Sequence, residues 1–178
     1  MLAMEGLCRR MERQQTTLLA ALEQWPRQQI DFKPSVEAWS AAQVLSHIVK
    51  VERGTMLHVR RAIRTQGPQV TKDDERHAHG LIRWLLSSQR VEVPKSEAEE
   101  IWPDAEPGFE ETAAQWRVTR QRLLALARSS ENDARCVFTH PGSGPMNLVL
   151  VMRFLHAHTR HHEYQIERLR KAAPALRT

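Results

Sequence analysis

The sequence predicts an all-α protein, and two observations carry this prediction. Four long segments, beginning near residues 2, 40, 109 and 148, place apolar residues at the three- and four-residue spacing of an amphipathic helix. Strict alternation of apolar and polar residues occurs only in short pieces, so the pattern gives no convincing sheet. Together these features favour a helix bundle.

The first half of the chain contains two of these helices. The first is expected over about residues 2–24 and ends before Pro26, because a residue that precedes proline is disfavoured in the α conformation. Residues 29–34 follow as an extended connection. The second helix begins at Ser40, which forms a capping box with Gln43. His47 lies about 60° from Val44 on this helix and therefore also faces the core.

In the second half of the chain, the connecting segments show weaker sequence patterns than the helices do. Residues 66–108 have the weakest secondary-structure pattern in the chain. Within them we expect a short helix in residues 71–89 and an extended piece at 91–94. The third long helix is expected over residues 109–129, with Trp116 in the core. A turn-rich approach follows, in which Pro145 suits the first turn of the last helix.

The last helix carries two histidines within an otherwise apolar stripe, whose residues fall within roughly 60° of one line along the helix. His158 and His162 are one turn apart, so their side chains begin about 5–6 Å from each other and can converge on one ion. His156 faces the far side, and His161 only flanks the stripe. Buried imidazoles need partners, which a metal ion or ordinary core hydrogen bonds can supply. If the partner is a metal, His47 is the natural third ligand.

Composition places the chain among ordinary globular proteins. Its 178 residues, 41% hydrophobic and 26% charged, are expected to form a single domain spanning residues 1–178. Cys8 and Cys136 form no disulfide framework or cysteine metal motif, which makes the reducing cytoplasm the expected location. No apolar run reaches the roughly 20 residues of a membrane span, and the N-terminus lacks a signal-peptide core.

The net charge of +5 permits contact with anions but does not indicate a nucleic-acid footprint. The basic residues are spread along helical patterns without a dense block or interleaved aromatics. We interpret them as solvated helix faces; examples are Arg117, Arg120, Arg122 and Arg128. The sequence therefore gives less support to nucleic-acid binding than to any other function discussed below.

Three motifs occur in a fixed order along the chain. They are Trp39-Ser40-x-x-Gln43-Val44-Leu45-x-His47-Ile48, then His140-Pro141-x-x-Gly144-Pro145, then His158-x-x-His161-His162-x-x-Gln165-Ile166. In this order the motifs resemble those of the DinB/YfiT-like metalloprotein superfamily over most of the chain. The resemblance implies a four-helix bundle with a long crossover connection, a divalent metal bound by His47, His158 and His162, and a homodimer. It leaves His161 and Gln165 as residues that support the ligands or line the pocket, and His140 as a structural capping residue.

Three neutral imidazoles leave a divalent ion its full charge and an open position, so that it can lower the pKa of a bound water or thiol. Zinc fits these ligands best, and nickel, iron and manganese are compatible with them. Some relatives are transferases or isomerases that use a low-molecular-weight thiol, and the resemblance makes thiol transfer to an electrophilic small molecule the leading hypothesis. One alternative is a metal-dependent hydrolase, for which neither Glu52 nor Glu163 is a clear general base. The other is a non-catalytic, metal-stabilised bundle that serves as a small-ligand-binding or stress-related scaffold.

Overall fold

The computed structural model describes residues 2–65, 67–87, 99–130 and 134–173. Four long helices dominate it: α1 (Leu2–Leu22), α3 (Ala41–Ala62), α5 (Phe109–Ser129) and α6 (Leu148–Ala172). Shorter elements connect them: α2 (Arg27–Ile30), α4 (Lys72–Ser87), a 3₁₀ turn (Glu99–Ile101), and an antiparallel hairpin of β1 (Phe138–His140) and β2 (Gly144–Met146). The predicted all-α bundle is confirmed.

The long helices pack in the manner of a bundle. Helix α5 lies against α1 and α3, and α6 lies against α1, α3 and α4. Helix α4 corresponds to the short helix expected within residues 71–89, and it belongs to the long crossover that joins α3 to α5. The extended piece expected at residues 91–94 lies outside the described residues.

Two local expectations are wrong. Residues 29–34 are not uniformly extended, because Pro26 caps a single helical turn and Ile30, which ends that turn, is buried. Pro145 does not begin the last helix but lies in β2, after Gly144, whose φ of +78° suits the hairpin turn. The cap of α6 is instead Asn147, whose side-chain oxygen accepts the Leu150 N–H at 3.0 Å.

The predicted start of α3 is confirmed. Ser40 Oγ accepts the Gln43 N–H at 3.2 Å, and Gln43 Oε1 accepts the Ser40 N–H at 3.1 Å, which completes the capping box. Two of the N–H groups that a helix start leaves unpaired are thereby satisfied in a buried position. The cap fixes where α3 begins and hence where His47, two turns later, projects.

The core consists of two apolar clusters separated by polar side chains. Along α1, the first cluster extends to Met11 and the second begins at Leu18; along α5 the second ends at Trp116 and the first resumes at Leu123. The buried polar residues between the clusters come from all four long helices, and we call them the polar layer: Gln15, His47, Glu52, Thr119, Arg120, His158, Thr159, His161 and His162. Both the candidate site and a buried ion pair lie in this layer.

Candidate metal centre

The predicted histidines come together in the polar layer. His47 from α3 and the pair His158 and His162 from α6 have exposed fractions of only 7–8%. The Nε2 atom of His158 lies 3.2 Å from Nε2 of His47 and 3.2 Å from Nε2 of His162. The three possible ligand atoms all lie within 4.8 Å of one another, so these residues could hold one metal ion.

The other ring nitrogens reveal which Nε2 atoms are free to bind. His47 Nδ1–H donates to the carbonyl oxygen of Ile101 at 2.7 Å, and His162 Nδ1–H donates to Gln165 Oε1 at 2.8 Å. Because both acceptors are oxygens, the proton of each neutral ring belongs on Nδ1 and the lone pair on Nε2. Both lone pairs point at His158 Nε2, which can offer at most one proton and cannot satisfy them both.

A cation resolves this conflict, and the spacing fits one. Zinc–imidazole bonds of about 2.0–2.1 Å in tetrahedral geometry put neighbouring ligand nitrogens roughly 3.3–3.4 Å apart. The two separations from His158 Nε2, each 3.2 Å, are close to that value, and all three candidate ligand atoms lie within 4.8 Å of one another. His47 and His162 also have the hydrogen bond from the opposite ring nitrogen by which proteins usually orient metal-binding histidines. The donor set and its surroundings therefore fit a divalent ion.

Burial keeps the three imidazoles neutral. It lowers the pKa of His47 to about 4, against the smaller upward effect of the hydrogen bond to Ile101. Burial likewise holds the pKa values of His158 and His162 well below 6.5, and the neighbouring histidines lower them further. At neutral pH no proton therefore has to leave before a metal binds.

The end of the crossover between α4 and α5, where the sequence pattern is weakest, forms one side of the site. Residues 99–108, which we call the return segment, lie along α3 and bring the Ile101 carbonyl to His47. Lys50 Nζ donates to the Trp102 carbonyl at 2.9 Å and pairs with Asp104 at 2.8 Å. Gln43 Nε2 donates to the Ala105 carbonyl at 2.9 Å. These bonds depend on long-range contacts, so no local sequence pattern indicates them.

Aromatic side chains flank the histidines. The half-buried Trp39 ring lies 5.0 Å from His47 and makes an edge-to-face contact with Trp102, also at 5.0 Å. On the other side Phe154 lies 5.8 Å from His158 and 4.9 Å from His140. His140 Nδ1 accepts the Gly142 N–H at 3.0 Å, which is the capping role expected for it.

Other candidate residues lie beside the three histidines. The buried His161 ring is 5.2 Å from that of His162, and Gln165 is the hydrogen-bond partner of His162. The two carboxylates considered as general bases are both engaged by arginines. Glu163 accepts from Arg160 at 2.6 Å, and Glu52 pairs with Arg120.

The interpretation of Arg120 as part of a solvated face is wrong. Its side chain is 1% exposed and its partner Glu52 is 0% exposed. The signal that could have revealed it is its position, because Arg120 shares the helical spacing of Trp116, Leu123 and Ala127. An arginine within an apolar stripe requires a buried partner.

Comparison with known proteins identifies the family and supports the fold. The family model of the DinB superfamily matches residues 10–166. The chain belongs to the DinB superfamily. A solved structure described as TT2238, a four-helix bundle protein, is similar at 20% identity, with a TM-score of 0.57, over 94% of this chain and 98% of that one. No curated protein matches the chain.

At this identity, the likeness to TT2238 establishes the fold of this DinB-superfamily chain and nothing about its chemistry. The fold has the four-helix arrangement with a long crossover that the sequence motifs imply. Within the described ranges, no helix combines the length and apolar character needed to cross a bilayer.

Proposed function

We propose that this protein binds one divalent metal ion through Nε2 of His47, His158 and His162. The observation that carries the proposal is the convergence of two Nε2 lone pairs, on His47 and His162, upon a third histidine that cannot satisfy both. Zinc is the ion that this all-nitrogen set fits best, and nickel, iron and manganese are also compatible with imidazole ligands. Three protein ligands leave a position open, as in catalytic rather than structural zinc sites.

We further propose that the site transfers a low-molecular-weight thiol to an electrophilic small molecule. A bound ion supplies positive charge that lowers the pKa of the thiol toward neutrality. The thiol proton passes to solvent water, the thiolate forms a carbon–sulfur bond with the electrophilic carbon, and the bond from that carbon to the leaving group breaks, its electron pair departing with the leaving group. Trp39 and Trp102 offer an apolar surface beside His47 for the carbon skeleton of the electrophile.

Thiol transfer is favoured over metal-dependent hydrolysis by the state of the carboxylates. A hydrolase of this kind commonly uses a carboxylate base near the metal. Glu52 is locked in its pair with Arg120, and Glu163 pairs with Arg160. A thiol, which is far more acidic than water, depends less on such a base.

A non-catalytic, metal-stabilised bundle is the second candidate, and the low exposure of the site favours it. The three histidines are only 7–8% exposed, which suits an ion that stabilises the fold. In that case removing the ion lowers the melting temperature strongly, and no thiol is consumed with any electrophile.

Metal analysis of protein purified without a polyhistidine tag tests the binding proposal. We expect about one zinc, nickel, iron or manganese ion per chain in the wild type, and loss of that ion in His47→Ala and His162→Ala. His77→Ala is the matched control, because His77 is exposed and lies on α4. Absence of bound metal after reconstitution with each of these ions would contradict the proposal.

Thiol consumption then separates the enzyme from the scaffold. The metal-loaded protein is mixed with a low-molecular-weight thiol and an alkylating electrophile, and free thiol is followed against time. Turnover that is lost in His47→Ala and kept in His77→Ala supports the transferase. Stoichiometric metal with no turnover across a panel of thiols and electrophiles supports the scaffold instead.

A further inference from the structure

Besides the neutral histidines, the polar layer contains a buried ion pair. Arg120 Nε donates to Glu52 Oε2 at 3.0 Å, and Arg120 Nη2 donates to Glu52 Oε1, so that the pair is bidentate. Arg120 Nη1 donates to the Met11 carbonyl at 2.5 Å, and Nη2 lies 3.5 Å from Thr159 Oγ1. The guanidinium carbon is 5.2 Å from the centre of the Trp116 ring. The guanidinium therefore has partners on several sides.

These partners belong to all four long helices. Met11 lies on α1, Glu52 on α3, Arg120 on α5 and Thr159 on α6. Apolar packing is non-directional, and cores tolerate many arrangements of similar volume. A bidentate guanidinium–carboxylate pair is directional, because two parallel hydrogen bonds form in only one relative position. The pair therefore fixes the axial position of α3 against α5, and the contacts of Arg120 with the Met11 carbonyl and Thr159 Oγ1 tie α1 and α6 to the same point.

The same shift determines the spacing of the histidines. Glu52 follows His47 by five residues on α3, and Thr159 is the residue after His158 on α6. A slip of one residue between these helices moves one side chain past the other by about 1.5 Å. Metal–ligand distances tolerate only about 0.2 Å. Contacts that hold α3 and α6 in register thus also hold the ligand atoms at 3.2 Å.

Stability alone does not explain this pair. Taking two charges out of water costs several kcal/mol per ion, and replacing a buried pair by apolar side chains is often neutral or stabilising. The best-attested use of such groups is to specify one register among several. We infer that Glu52 and Arg120 are positioning residues that hold α3 and α6 in the register at which the three histidines can share one ion. This inference rests on the proposed metal site.

The test replaces the pair by apolar residues of similar size. Glu52→Leu/Arg120→Met is compared with the wild type in zinc affinity, measured by competition with a chelator, and in the visible absorption of the cobalt-substituted protein. Glu23→Leu/Arg117→Met is the matched control, because it removes an exposed ion pair between α5 and Glu23, the residue that follows α1. We expect zinc affinity to fall about 10–100-fold and the cobalt spectrum to change in the first variant only. Its melting temperature should stay near that of the wild type.

A merely structural pair gives a different result. Wild-type affinity and an unchanged cobalt spectrum in Glu52→Leu/Arg120→Met would overturn the inference. If that variant does not fold, Arg120→Lys decides, because lysine keeps the charge but lacks the two-pronged geometry. We expect Arg120→Lys to lose affinity and to show an altered cobalt spectrum; wild-type values would overturn the inference. A wild-type protein that binds neither ion refutes the metal site itself, which is a separate outcome.

Discussion

The two apolar clusters and the polar layer between them are built from the same four helices under different physical rules. The clusters need only apolar residues of suitable volume at helical spacing. The layer needs particular donors and acceptors at particular distances, because each unpaired polar group there costs free energy. The clusters therefore account for the fold, and the layer accounts for the chemistry that the fold can support. Changes confined to the clusters should therefore leave the geometry of the layer intact.

The largest expected effect on stability comes from the apolar side. Leu123 is fully buried on α5, a helix that contributes none of the three histidines. Leu123→Ala should lower the free energy of unfolding by about 2–5 kcal/mol, through lost burial and the cavity left behind. Urea unfolding measures this loss. Zinc affinity of the folded variant should equal that of the wild type, and a parallel loss of affinity would show that the two regions are not separable.

Acid should act on the polar layer of the metal-free protein. The pKa of His47 is about 4 when folded and about 6.5 when unfolded, so the unfolded state takes up its proton at a higher pH than the folded state does. Stability should therefore be lost as pH falls from about 6.5 toward 4, by about 3 kcal/mol from His47 alone, and should not depend on this group above pH 7.

Melting curves of metal-free protein across this pH range test the effect of acid. His47→Gln is the control, because glutamine does not titrate and should make the pH dependence shallower. The depressed pKa values of His158 and His162 act with the same sign. An equally steep dependence in wild type and variant would assign the effect to other groups.

A smaller effect is expected from the tether of the return segment. Lys50 holds the Trp102 carbonyl and Asp104, and so keeps the Ile101 carbonyl against His47. Lys50→Met should weaken zinc binding about tenfold, the lower end for groups that orient metal ligands, with little change in unfolding free energy. Titration calorimetry measures the affinity. Lys33→Met, at an exposed position before α3, is the control. Equal zinc affinities in the two variants would show that the contacts of Lys50 do not contribute to metal binding.

Much of the fold could be predicted from the sequence, because apolar spacing and helix caps depend on residues that are close together in the chain. The Ser40 capping box and the core position of Trp116 follow from patterns within a few residues. The hairpin before α6 was missed, since Pro145 suits a first helical turn as well as the short strand it occupies. Here the positive φ of Gly144 decides between the two, and sequence spacing does not report it.

The residues of the site could be predicted only where the periodicity of their own helix places them toward the core. His158 and His162 are one turn apart on an apolar stripe, and His47 was found because it faces the core of another helix. The hydrogen bond from His47 to Ile101 joins residues 54 apart, and the pairing of Arg120 with Glu52 joins residues 68 apart. Neither follows from periodicity, because both depend on the relative rotation and axial position of helices in the folded bundle.

X-ray absorption spectroscopy of the zinc-loaded protein tests the metal site most directly. We expect a first shell that contains three imidazole nitrogens at about 2.0–2.1 Å, with the outer-shell scattering of imidazole rings, and loss of one ring in His47→Ala. That result would establish the polar layer as the metal centre. A shell with a sulfur ligand at about 2.3 Å, or one that is identical in wild type and His47→Ala, would contradict the assignment.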